Sequence, residues 1–253
     1  MNWQSIGAMR LDLLSLAGSA AIVALYHFYI AYQLRRDPSY TFQSVMNYAR
    51  AAWTRSVMSG DPDVLAVQTL RNLTMASTFL ASTSVLLIMG VLSLSGQSDK
   101  LSTTWHVWST GDAIGPKLWL FKLILLLVDL FVAFFSFVIS IRFFNHVGFM
   151  INVPLALRHR MVGPECVAEQ LNRAARAYLI GMRSYYFLVP LVLWLFGPDL
   201  MLAASVVLVF VLYKVDRMPK PVGYRLPEAA ESRPQIATIR APEATTTVGL
   251  KAA

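Results

Sequence analysis

RSYYFLVPLVLWLFGPDLMLAASVVLVFVLYKVD, residues 183–216, decides how many times this chain crosses a membrane. The apolar run that contains it begins at Ala177 and continues to Tyr213. As one helix it would be ~55 Å long, nearly twice the ~30 Å hydrocarbon core of a bilayer. Gly197-Pro198 interrupts it with a turn signal: glycine ends helices and proline opens them. Read with that turn, Ala177–Phe196 is one span and Pro198–Val215 the next, and residues after Tyr213 return to the side from which the fourth span started.

Charge supports the same division. Of the 22 Lys and Arg, five lie in Arg35–Arg71, six in Arg142–Arg183 and seven from Lys214 onward. Five spans put 18 of them inside and three outside; four spans give 11 against ten. Basic residues accumulate on the cytoplasmic side, and Lys214, Arg217 and Lys220 are near enough to the last span to count. The reading is therefore five spans, N-terminus out and C-terminus in. A shallow re-entrant hairpin at Gly197-Pro198 is the alternative, and it leaves the C-terminus on the same side.

Outward from this region the rest of the chain follows the same logic. It has 253 residues, 56% hydrophobic and 14% charged, with a mean hydropathy of +0.53. A soluble domain carries ~25% charged residues, so this composition excludes a water-facing globule. Leu13–Tyr32, Leu73–Leu94 and Leu118–Ile141 are each long enough to span. They lack the alternation of a barrel wall, and in lipid the remaining structure that satisfies every backbone group is the helix. The fold class is all-α, a polytopic membrane bundle over residues 1–216. The tail, 217–253, is rich in Pro, Ala, Thr and Glu and reads as disordered. The net charge of +8 belongs to span flanks facing anionic inner-leaflet lipid, not to a nucleic-acid surface. The expected location is the plasma (bacterial inner) membrane.

Between the first two spans, residues 41–58 form an amphipathic segment. Phe42, Val45, Met46, Ala49, Trp53 and Val57 recur at helical spacing, with Asn47, Arg50 and Arg55 off that stripe. It is expected to lie in the cytoplasmic interface. Asp61-Pro62, Pro116 and Gly163-Pro164 are helix starts. Residues 97–116 form a polar outer loop with Trp105 and Trp108 as interface anchors.

Several separated blocks resemble one family. VQTLRN with MASTFLAST (Val67–Thr83), SIRFFN (Ser140–Asn145), RSYYFLVPLVLWLFGPDL (Arg183–Leu200) and VLYKVD (Val211–Asp216), with Tyr26-His27, are similar to the membrane proteins grouped as domain of unknown function 599. The likeness covers roughly residues 10–216. It implies a multispan protein and brings no reaction or site residue.

Chemistry, if any, rests on the polar groups inside spans. Lys122, Asp129, Ser136 and Ser140 share one helical face, and Asp129 lies mid-span, where a carboxylate is costly and faces a bundle interior or wet cavity. His27 in the first span is a partner for Asp129 or a member of a proton relay. Haem ligation is disfavoured: His146 is the only other span-helix histidine and lies beyond the inner end of its span, while His106 and His159 are in loops on opposite sides. Arg71-Asn72, Arg142 with Asn145, and Arg183 mark the inner interface, where Arg183 snorkels to headgroups. Small residues in the first span (Ala17, Gly18, Ser19, Ala20) and the second (Ala76, Ser77, Ala81, Ser82) are expected to pack those two helices together. One cysteine, Cys166, permits no disulfide. No phosphate loop, zinc motif or nucleophile motif occurs, so no catalytic, cofactor or metal site is assigned. The expected role is non-enzymatic: a scaffold, accessory or assembly subunit among other membrane proteins. The alternatives are a small channel or transporter using the polar stripe, and a membrane redox component.

Overall fold

The computed structural model describes residues 3–37, 40–60, 64–96, 116–153 and 162–217. Among these are six helices: α1 (Trp3–Arg36), α2 (Phe42–Ser59), α3 (Val64–Ser95), α4 (Pro116–Met150), α5 (Pro164–Phe196) and α6 (Pro198–Asp216). All but α2 are long and apolar enough to cross a membrane. An isolated antiparallel bridge, Thr41 to Arg217, is the only extended pairing among the described residues. The outer loop with its tryptophans, the Asp61-Pro62 start and the tail beyond Arg217 fall outside the described residues.

Pairs of touching residues give the direction of the five long apolar helices. Phe137 of α4 meets Ala81 of α3 and Tyr178 and Tyr185 of α5, while Trp119 and Leu123 meet Ile88, Val91 and Leu195. Thus α3, α4 and α5 run antiparallel in turn. Helix α6 folds back from α5 at Gly197, whose N–H closes on the Leu193 carbonyl at 3.2 Å. It then runs beside α1 in the same direction: Gly18 faces Leu202, and Tyr26 packs on Leu208 and Leu212. Helices α1 and α6 therefore start at one end of the bundle and finish toward the other, as two spans separated by three crossings must. The nineteen residues of α6 extend ~28 Å, about one hydrocarbon thickness.

One expectation is corrected here. The first and second spans do not pack together: α1 lies on α6, and α3 lies on α4. Their small residues serve different partners. Gly18 lets Leu202 approach α1, whereas Ala81 and Ser84 bring α3 onto Phe137 and Tyr185. Small side chains promote close approach without naming the neighbour. At Gly181 of α5 the need is steric, since an added Cβ would stand 2.7 Å from the Phe137 ring.

The amphipathic segment expected at residues 41–58 is helix α2, Phe42–Ser59. Thr41 caps it, its hydroxyl accepting from the Ser44 N–H at 3.3 Å. Its buried residues are Thr54 and Met58, with Trp53 and Val57 half-buried, whereas Phe42 and Ala49 are exposed. Met58 enters the core where α3, α4 and α5 meet, beside Leu70, Phe144, Val147 and Leu171. Asn47 and Arg50, off the apolar stripe, are half-buried. Arg50 Nε donates to Asn172 Oδ1 at 2.8 Å and Nη2 to Asn47 Oδ1 at 2.6 Å, fastening α2 to α5. Burial, then the nearby Arg176, push the Arg50 guanidinium below its usual value.

Candidate functional site

At the end where α1 and α6 begin, three helices meet around one ion pair. Lys122 of α4 places Nζ 3.0 Å from Asp12 Oδ1 of α1, with side chains 0% and 5% exposed. The same ammonium donates to the Trp194 carbonyl at 3.0 Å and stands 5.0 Å over the Trp194 ring. That carbonyl belongs to the last turn of α5, where helix C=O groups lack a helical partner and the dipole favours a cation. Trp194 Nε1 completes the triangle, donating to Asp12 Oδ1 at 2.9 Å. Sequence reasoning did not single out Asp12 or Trp194. Asp12 stands one residue before the apolar run that opened at Leu13.

Toward mid-depth the stripe on α4 divides into separate contacts. Asp129 takes a hydrogen bond from Ser184 of α5, and its Oδ2 is buried without a partner. Ser140 donates to the Ala174 carbonyl at 3.0 Å. Ser136 is buried. Between Asp129 and Ser140 the packing is closed by Leu130, Ala133 and Phe137, all at 0–1% exposure. Tyr185 adds a further tie, its hydroxyl donating to the Leu80 carbonyl at 2.6 Å and lying 2.9 Å from Ser84 Oγ.

His27 does not join Asp129. Its Nδ1 lies 2.9 Å from the Val23 carbonyl, which can only accept, so that nitrogen carries the proton. The other nitrogen, Nε2, then accepts from Arg183 Nη1 at 3.4 Å. Arg183 Nη2 binds Asp216 Oδ2 at 3.0 Å, and Tyr26 donates its hydroxyl to the same oxygen at 2.8 Å. Arg183 is thus an internal partner of α1 and α6, not a lone side chain reaching for headgroups. Its side chain is 36% exposed and that of Asp216 21%.

The remaining interface residues sort onto two sides of α4. Arg71 and Asn145 line one groove of about 340 Å³ between α3 and α4. Arg142 lines another, of about 630 Å³, with His146 and with Arg173 of α5. Asn72 is exposed on α3 and lines neither groove. Among the described residues no three His, Cys, Asp or Glu side chains converge as metal ligands. His27 and His146 belong to different clusters.

A family model described as "Protein of unknown function, DUF599" matches residues 14–221. No curated protein and no solved structure matches the chain.

Proposed function

Because the chain belongs to the DUF599 family, which is described only as of unknown function, we propose from its geometry that it is a non-enzymatic scaffold or accessory subunit of a membrane complex. The observation that carries this reading is how the intramembrane polar groups are used. Lys122, Ser140, Tyr185 and Arg183 each hold one helix to another, and Leu130, Ala133 and Phe137 fill the space along the α4 stripe. A conduction path needs continuous polar lining or water. A rigid platform needs the opposite: interhelix hydrogen bonds within a closed core.

Orientation belongs to the same proposal. The end carrying Arg71, Arg142 and Arg173 faces the cytoplasm, the end carrying Asp12 and Lys122 faces outward, and the membrane is the plasma membrane. The transport reading keeps one support, the unpartnered Oδ2 of Asp129, since such acids often mark ion routes.

Purification in mild detergent separates the two. The scaffold reading expects a stoichiometric protein partner to stay bound, and liposomes of the purified chain to pass protons no faster than empty ones. A solitary protein whose pH-driven flux disappears in Asp129→Asn would overturn it. A reporter enzyme fused after Asp216 should be active on the cytoplasmic side.

A further inference from the structure

We propose that the groove between the arginine-rich ends of α4 and α5 is a binding site for a phospholipid with a net-negative headgroup. The first support is depth. Twenty residues of unbroken helix separate Lys122 from Arg142, ~30 Å at the helical rise and equal to the hydrocarbon thickness. With Lys122 at one boundary, Arg142 lies at the other, level with lipid phosphates.

Charge is the second support. Arg142 and Arg173 both line the groove, with His146 beside them and no acidic side chain among the lining residues. Arg142 is exposed and has no acidic partner among the described residues. Arg173 bonds to Glu169 Oε1 at 3.2 Å, a carboxylate that also takes Arg176 at 3.0 Å, so two guanidinium groups share one counter-charge. This corner is cationic on balance, and guanidinium groups match phosphate oxygens in geometry.

The third support is the apolar half of the same groove. Ile139, Phe143 and Met150 supply most of its wall, a poor lining for a free hydrophilic anion. Phosphate at the arginines and an acyl chain along Ile139 and Phe143 satisfy both halves together. The groove of Arg71 on the other side of α4 has one cation and serves as an internal control.

The full chain in detergent micelles is titrated with phosphatidylglycerol or with phosphatidylcholine of the same acyl chains, and retained lipid is counted by native mass spectrometry. Phosphatidylglycerol should be retained preferentially. A basic residue near a lipid surface contributes on the order of fivefold in affinity, so Arg142→Gln with Arg173→Gln should cut the preference by roughly 25-fold. Glu169→Gln, which removes the competing carboxylate, should raise it. Equal retention of the two lipids overturns the proposal. So does an Arg71→Gln variant that loses as much preference as the double variant, because the effect would then be general surface charge. Displacement by millimolar inorganic phosphate overturns it too, as the site would then bind the anion without its chain.

Discussion

The two ends of the bundle each carry an ion pair of the same length, and they are built for different conditions. Asp12–Lys122 and Arg183–Asp216 both measure 3.0 Å. The first is sealed: three helices surround it and Trp194 supplies an acceptor, a donor and an aromatic face. The second is open to its surroundings, its arginine sharing a carboxylate with Tyr26 and a contact with His27. Distance alone therefore says little about what a pair contributes. A sealed charge has lost its water and depends wholly on its partner, whereas a half-exposed one keeps an alternative.

The sharpest way to break this contrast is to remove one sealed partner. Lys122→Met leaves Asp12 charged and buried, along with a Trp194 carbonyl that has lost its donor. Breaking such a pair costs about 3–5 kcal/mol. Equilibrium unfolding in mixed micelles should show the loss. Adding Asp12→Asn keeps an acceptor for the Trp194 indole and removes the orphan charge, so the double variant should recover at least half of it. A double variant as unstable as Lys122→Met alone would show that the ammonium acts through Trp194 and not through Asp12.

Next in size is the open pair. Arg183→Gln should cost about 1–2 kcal/mol in the same measurement. Asp216 keeps the Tyr26 hydroxyl and access to its surroundings, and Gln retains a donor for His27. Because the cluster joins α1, α5 and α6, protease cleavage after α6 should quicken before global unfolding changes much. A loss as large as that of Lys122→Met would mean that Arg183 is sealed in the membrane, and the distinction between the ends would collapse.

This contrast also marks what was legible in the residues. Span number and the turn at Gly197-Pro198 follow from run length and turn chemistry, which act within one segment. The helix starts at Pro116 and Gly163-Pro164 did as well, for the same reason. Neighbour choice did not. Nothing in Gly18 or Ser84 says whether the facing surface is Leu202 or Tyr185, because small residues permit approach without selecting a partner. The sealed pair was half visible. Lys122 drew notice as a charge in an apolar run, but Asp12 read as polar flank. The available signal was depth: both residues lie near the same expected boundary, one acidic and one basic, each near the start of its helix on spans that run in the same direction. Likewise His27 and Arg183 each stood out alone, and only the return of α6 beside α1 brought Asp216 between them.

The smallest expected effect completes the series and tests its logic. Arg55–Glu165 joins α2 to the start of α5 at 3.2 Å, with side chains 56% and 72% exposed. If burial governs the contribution, Arg55→Gln should change unfolding free energy by no more than about 0.5 kcal/mol, and added salt should erase even that. The attachment of α2 would persist, because Met58 is buried among α3, α4 and α5 and Arg50 holds Asn172. Three pairs of nearly equal length would then span a wide range of energies in the order of their exposure. If Arg55→Gln instead released α2, read as rapid hydrogen exchange over Phe42–Ser59, an exposed pair would be governing the docking of a helix. Position in the fold, not burial, would then have to explain the difference between the two ends.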